Sequence, residues 1–91
     1  MATIAVMFKI DGEGVAPALQ QAGENLDKAN GQAVLDFSTV RRVDPAGLAA
    51  LQELATIAEG RGVKLALRGV NIEVYKVLKL AKLGPRFSFL S

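Results

Sequence analysis

The sequence V-L-D-F-S-T-V-R-R-V-D-P-A-G-L-A-A-L, residues 34–51, decides how the rest of the chain is arranged. Its apolar start is typical of a strand buried in a parallel sheet. Asp44 has the carboxylate that an N-cap requires, and Pro45 suits the first helical position, where an N–H would have no intrahelical partner. The apolar face of the helix is marked by Leu48, Leu51 and Leu54. This stretch therefore predicts a strand, a short connection and a capped helix, the place where open α/β sheets bind ligands and partners.

The composition excludes several classes of protein. The chain has 91 residues, of which 51% are hydrophobic, so we expect one globular domain over residues 1–91. The net charge of +2 is too small to indicate a nucleic-acid partner. There is no cysteine and no histidine, which removes thiolate chemistry, the usual acid–base group at neutral pH and the commonest metal ligand. We therefore expect no catalytic residue, no metal site, no cofactor and no enzymatic activity.

The amino end is predicted to be a strand rather than a signal peptide. It is apolar but lacks a basic start, and it soon reaches Lys9, Asp11 and Glu13. No apolar run approaches the roughly 20 residues that a transmembrane helix needs. We expect a cytoplasmic protein without direct membrane insertion.

The remaining periodicities alternate between strand and helix. The order is β-α-β-α-β-α-β, which predicts an α/β fold with a mixed, mostly parallel four-stranded sheet packed with about three main helices. The predicted strands cover residues 3–10, 32–37, 63–67 and 86–90, and the predicted helices cover residues 15–29, 45–59 and 72–83. The predicted core contains Val6, Phe8, Leu19, Leu26, Val34, Leu35, Leu48, Leu51, Leu54, Leu65, Leu67, Val74 and Leu78.

Two polar segments have a structural and a functional interpretation. Residues 11–14, D-G-E-G, are predicted to form a turn in which glycine supplies positive φ, because no complete phosphate-loop motif is present. Asp36 is a potential site carboxylate, but no histidine, lysine or second carboxylate stands at motif spacing from it. We predict that Asp36 caps the loop that follows. Asn71 is predicted to be the N-cap of the last helix.

The last helix has more apolar residues than one buried stripe can hold. Ile72, Leu80 and Leu83 lie outside the stripe that Val74 and Leu78 define. Two interpretations stay open: these residues bury themselves against a second molecule, giving a homodimer, or the Gly84-Pro85 turn and the final strand cover them. We interpret Lys76, Lys79 and Lys82 as a solvated face.

Several segments taken together resemble the STAS domain, the family of anti-sigma factor antagonists and transporter regulatory domains. They are V-L-D-F-S at 34–38, V-D-P-A-G-L-A-A-L at 43–51 and G-R-G-V-K-L-A-L-R-G-V at 60–70. The segment R-G-V-N-I-E-V-Y-K-V-L-K-L at 68–80 looks most like the STAS subunit of Mla-type phospholipid-transport systems. The resemblance covers residue 15 to the end, and the amino end is shorter than is usual in the family.

The resemblance implies a non-enzymatic module that binds a protein partner, either the ATPase or permease of an ABC transporter or an anti-sigma factor kinase. The family's phosphorylated serine or threonine follows the aspartate that matches Asp44, and Pro45 stands there in this chain, so the familiar switch cannot operate at that residue. Ser38 and Thr39 are interpreted as turn residues that bond to local backbone groups. The expected docking surface comprises Ser38, Thr39, Arg41, Arg42, Asp44, Pro45, Ala46, Gly47 and Leu48.

Two alternatives to a transporter subunit stay open. One is an anti-sigma factor antagonist-like regulator that lacks the usual phosphoacceptor. The other is a sensor of nucleotides or small anions, because a helix N-terminus beside Arg41 and Arg42 could attract a phosphate. Against the sensor, Asp44 stands at the same helix end and is expected to use its free N–H groups.

Overall fold

The computed structural model describes residues 6–29 and 31–90, in which four strands and three helices form an α/β fold. The strands pair in chain order, and every neighbouring pair is parallel. The predicted fold class is confirmed, although the part of the predicted first strand before Val6 lies outside the described residues. The strands are β1 (Val6–Lys9), β2 (Gln32–Asp36), β3 (Lys64–Arg68) and β4 (Ser88–Leu90), and the helices are α1 (Val15–Glu24), α2 (Pro45–Arg61) and α3 (Ile72–Leu80).

All three helices pack against one face of the sheet. Successive strands add in the same direction, and right-handed crossovers then put every connecting helix on the same side. Leu35 and Leu67, which are register partners on β2 and β3, join Leu51 of α2 and Leu78 of α3 in a single core cluster. Side chains alternate along a strand, so the opposite face carries the exposed Met7, Lys9, Lys64 and Arg68.

Ten of the thirteen predicted core residues are buried. The exceptions are Val6, Phe8 and Leu48, which are half-buried, and the last two pack against the core cluster. Val34 is buried, but it lies outside the cluster that the helices cover. The prediction omitted several buried residues that stand at or beyond the ends of elements. These are Ile10, Phe37, Val40, Leu83 and Phe87.

Two predicted helices end earlier than their apolar periodicity indicates. The predicted end of α1 at residue 29 is wrong, because the helix stops at Glu24 and a 3₁₀ turn over Leu26–Lys28 follows. The side chain of Asn25 donates a hydrogen bond to the Gln21 carbonyl, 2.8 Å away, at the point where the α-helix stops. The helix α3 ends at Leu80 instead of residue 83, and Lys82 takes a left-handed conformation with φ of 60°.

The D-G-E-G segment at 11–14 forms the predicted turn, but the predicted reason is wrong. The glycines with positive φ among the described residues are Gly31, Gly62 and Gly69, so neither Gly12 nor Gly14 uses that conformation. Instead Gly12 lies against the loop after β2, where a Cβ atom would overlap the Thr39 carbonyl oxygen. The turn therefore requires glycine because two backbone segments approach each other closely.

Candidate functional site

The loop that leaves β2 is held by its own polar side chains. Asp36 accepts a hydrogen bond from the Ser38 amide at 3.0 Å, as predicted. Thr39 accepts from the Gly12 amide at 3.3 Å and donates its hydroxyl proton to the Ile10 carbonyl at 3.2 Å. Thr39 bonds to backbone groups as predicted, but the prediction that these groups are local is wrong, because its partners lie 27 and 29 positions away in the sequence. These bonds fix the loop against the end of β1.

The pKa of Asp36 lies below its ordinary value. The hydrogen bond from the Ser38 amide is the largest cause, the Ser38 side chain is the second, and Arg68 and Lys9 contribute smaller electrostatic effects. Partial burial opposes them by raising the pKa. Asp36 is therefore an ionised loop cap at neutral pH, and a carboxylate with a lowered pKa is a poor general acid or base there.

The start of α2 is the exposed centre of the expected docking surface. The Asp44 carboxylate accepts a hydrogen bond from the Gly47 amide at 2.7 Å, which confirms the predicted N-cap. Pro45 is the first helical residue, and both Pro45 and Ala46 are exposed. The helix end is thus already capped, and beside the Asp44 carboxylate it presents the small apolar side chains of Pro45 and Ala46.

Gly47 is the one residue of the expected surface that is buried, so a contact between it and a partner is excluded in this conformation. A Cβ atom there would lie 3.0 Å from a methyl of Val43 and 3.2 Å from a methyl of Val15. Gly47 instead lets the first turn of α2 pack tightly between the preceding loop and α1. Leu48 is half-buried, and the other expected residues are exposed, namely Ser38, Thr39, Arg41, Arg42, Asp44, Pro45 and Ala46.

Asn71, which is absent from the expected surface, connects that surface to the start of α3. Asn71 caps α3 by accepting from the Val74 amide at 2.8 Å. Its side-chain amide also donates to the carbonyls of Val40 and Arg41, each 3.3 Å away. The cap was predicted from sequence, but these two bonds join residues 30 and 31 positions apart, and no local pattern indicates them. Asn71 therefore ties the start of α3 to the loop that leads into α2.

Several polar side chains at this surface take part in hydrogen bonds with backbone groups. Among residues 6–29 and 31–90, no group of three or more metal-ligating side chains is close enough to hold an ion. The side chains of Asp36, Thr39 and Asp44 each make a hydrogen bond with a backbone group. In the described part of the chain, no helix is both long and apolar enough to cross a membrane.

Comparison with protein families and curated proteins gives two consistent findings. A family model described as "Mlab, STAS domain" matches residues 3–88. The chain is also 35% identical, over 81 residues, to the "Intermembrane phospholipid transport system binding protein MlaB" of Escherichia coli strain K12. That alignment covers 89% of this chain and 80% of the E. coli protein, and the protein of the same name from Shigella flexneri matches equally well.

Solved structures show the same fold. A sulfate transporter family protein from Wolinella succinogenes superimposes with a TM-score of 0.77 and 27% identity, covering 93% of this chain and 75% of the other. The STAS domain of a SulP transporter from Vibrio cholerae gives 0.77 at 16% identity, covering 99% and 76%. A protein described as an anti-sigma factor antagonist, from Thermotoga maritima, gives 0.73 at 20% identity, covering 100% and 75%. The last two likenesses concern the fold alone.

Proposed function

This chain belongs to the STAS domain family, and from that premise we propose that it is a non-enzymatic docking subunit of an ABC transporter that moves phospholipid. In this proposal it binds the transporter's ATPase or permease through the start of α2 and the loop before it. The E. coli relative, which is named as a binding protein of a phospholipid-transport system, supports this choice of partner. The proposal places the chain in the cytoplasm, where the ATPase subunits of ABC transporters work.

The observation that carries the proposal is that the start of α2 is exposed and is already capped by Asp44. Asp44 is already used as a cap, while Pro45 and Ala46 are exposed beside it. A fixed, exposed and apolar helix end suits contact with a complementary protein surface rather than capture of an ion. Because Pro45 has no hydroxyl, phosphorylation at this position cannot regulate docking, so we infer that docking is constitutive or controlled from the partner's side.

Binding of the purified ATPase to variants of this chain tests the proposal. Ala46→Arg puts a long charged side chain on the exposed helix start and should weaken binding at least about tenfold. Pro45→Ser removes little surface and should leave the affinity within about twofold, while Pro45→Asp should weaken it. An Ala46→Arg variant that binds as tightly as the parent, measured by calorimetry, would show that the docking surface is elsewhere.

An anti-sigma factor antagonist-like role remains the second proposal. Its support is the family membership together with the fold that the chain shares with the Thermotoga maritima protein. Pro45 argues against it, because partner switching in such regulators requires a hydroxyl at that position. Tight binding to an anti-sigma factor kinase, without binding to the ATPase, would favour this role.

A nucleotide or anion sensor is the third proposal, and one observation favours it. Arg42 lines a cleft of about 360 Å³ beside the start of α1, whose N-cap, Gly14, has no side chain to occupy the free N–H groups. Asp44 and Glu13 line the same cleft and would repel an anion. A thermal-shift measurement with GTP, ATP and phosphate tests this role, and a flat response at millimolar ligand would remove it.

A further inference from the structure

We propose that the docking surface extends from the start of α2 onto the outer face of α3. The matching surface of the partner is then an apolar pocket surrounded by acidic residues. This inference rests on the proposed function and adds to it a second helix and the chemistry of the partner. It follows from three independent features of the described residues: an uncovered apolar stripe, an excess of unpaired positive charge, and a direct connection between the two helix starts.

The apolar stripe consists of Ile72 and Leu80, which are 72% and 84% exposed, with Lys76 between them. Residues at positions i, i+4 and i+8 lie along one side of a helix, so these three form a continuous line over α3. Val74 and Leu78 are buried on the opposite side of α3, which means that folding does not require the stripe. The alkyl stem of Lys76 joins the two exposed apolar side chains along one helical face, and an apolar surface of this kind can serve as a contact surface.

The segment after α3 folds back over part of the apolar surface of the helix, but it does not cover Ile72 and Leu80. Leu83, which the sequence pattern groups with Ile72 and Leu80, is only 2% exposed. The chain turns at Lys82 and brings Leu83 under the end of α3, with the Leu83 amide bonded to the Leu78 carbonyl at 2.9 Å. Of the two predicted outcomes, covering by the chain itself therefore holds for Leu83 and fails for Ile72 and Leu80.

The positive charge around the stripe indicates that the partner's contact surface is acidic. Lys76 and Lys79 on α3 and Arg41 and Arg42 on the neighbouring loop are all exposed. In the described part of the chain, the two ion pairs are Arg61–Asp27 and Arg86–Glu59, so none of these four cations is neutralised by such a pair. These four cations outnumber the two exposed carboxylates of the region, those of Asp44 and Glu73, so the surface is net positive and complements an apolar contact surrounded by carboxylates.

The two helix starts form one continuous surface. Asn71 holds the backbone of Val40 and Arg41 directly beside the first turn of α3 through its two donated hydrogen bonds. Next to this connection lies a cleft of about 290 Å³ between the loop and the helix, lined by Arg41, Arg42, Val43, Glu73, Val74 and Val77. A partner that contacts Pro45 and Ala46 therefore reaches α3 across this cleft without leaving the protein surface.

The experiment measures binding of the purified ATPase of the phospholipid-transport system to variants of α3. The double variant Ile72→Ser with Leu80→Ser removes the apolar stripe, and Lys76→Glu with Lys79→Glu reverses the charge. The matched control, Lys9→Glu with Lys64→Glu, makes the same change in net charge on the opposite face of the sheet, where both lysines are exposed. We expect each α3 variant to raise Kd at least about tenfold and the control to stay within about twofold.

The outcomes separate this inference from the proposed function. If Ala46→Arg weakens binding while both α3 variants bind like the parent, the surface ends at α2, and only the inference about α3 is overturned. If the parent binds the permease and not the ATPase, only the inference about α3 is overturned. If the parent binds neither, or if Ala46→Arg and both α3 variants all bind the ATPase like the parent, both proposals are overturned. Sedimentation equilibrium adds a further outcome. A parent dimer that Ile72→Ser with Leu80→Ser dissociates, without change in ATPase binding, would assign the stripe to a second copy of this chain and overturn the inference.

Discussion

At the scale of one residue, Gly12 lies in a turn that was correctly predicted, but it is needed there for a different reason from the predicted one. The segment at 11–14 has the composition of a turn, and a turn is what it forms. The need for glycine, however, comes from the Thr39 carbonyl, which belongs to a loop 27 positions further along the chain. Composition indicates local backbone geometry, but it contains no information about which distant segment approaches a glycine.

Replacing Gly12 with alanine should destabilise the protein by about 1–3 kcal/mol, because the new methyl group overlaps backbone atoms that can move only with the loop. Gly60→Ala provides a control of opposite sign. Gly60 is exposed within α2 and has open space where a Cβ would be placed, so alanine there should stabilise by up to about 1 kcal/mol. Urea denaturation measures both changes, and equal effects of the two substitutions would contradict the close approach at Gly12.

Asp36 supports a prediction on pH. Its pKa in the folded state is below the ordinary value of 3.8, chiefly because the Ser38 amide donates to it. A lowered folded-state pKa contributes stability that is present above 3.8 and is lost as the pH falls through the folded-state value. The parent should therefore be more stable than Asp36→Ala at neutral pH, and the difference should shrink in acid. Urea midpoints measured from about pH 6 to about pH 2 test this, and a difference independent of pH would contradict it.

At the scale of elements, the starts of helices were predictable from sequence and their ends were less so. Asp44 and Asn71 form their predicted caps because an N-cap bond spans only three residues. The end of α3 was misplaced because the prediction relied on Gly84 and Pro85. In the structure Lys82 occupies the left-handed position, where glycine is usual. The amides of Lys82 and Leu83 donate to the carbonyls of Lys79 and Leu78, which are the two hydrogen bonds of a Schellman motif. Nothing in a lysine side chain indicates that conformation.

Lys82→Gly should stabilise the protein by about 1 kcal/mol, since glycine adopts positive φ without the steric penalty that an L side chain meets. Lys79→Gly is the matched control, because it removes the same charge from an exposed position inside α3. That substitution should destabilise by about 1 kcal/mol, the usual cost of glycine in a helix. Thermal unfolding distinguishes the two, and loss of stability in both variants would show that Lys82 makes contacts that outweigh its strained backbone.

Part of the expected docking surface was likewise predictable from local sequence, and part of it depends on contacts between distant elements. The sequence predicted the exposed start of α2, because a cap, a proline and two small residues in succession are a local pattern. It did not predict that Gly47 would be buried, which depends on contact with Val15 of α1. Nor did it indicate which of Ile72, Leu80 and Leu83 the fold would cover, because that depends on the path of the chain after Lys82. Local patterns thus predict elements, whereas the exposed surface results from how the elements meet.

At the scale of the whole molecule, the uneven distribution of charge along the sequence becomes an uneven distribution of charge over the surface. Eight of the nine acidic residues lie in residues 1–60, and seven of the eleven basic residues lie in residues 61–91. Because the strands pair in chain order, β1 and β4 form opposite edges of the sheet, and the later part of the chain makes one side of the molecule basic. The exposed stripe of α3 lies on that side, so an acidic partner would be attracted to it before contact.

The rate at which the chain associates with the proposed ATPase partner should therefore fall as salt rises, while the dissociation rate changes little. Exposed charges steer the encounter, and the Debye length shortens from about 10 Å at 0.1 M to about 3 Å at 1 M ionic strength, which confines their field to the surface. In the proposed complex, apolar contacts of Ile72 and Leu80 govern dissociation, and such contacts are far less sensitive to screening than charges are. Surface-based kinetics with the parent and with Lys76→Glu plus Lys79→Glu measure both rates. The reversed-charge variant should lose most of the salt dependence of association, and the same dependence in both proteins would show that the steering charges lie elsewhere.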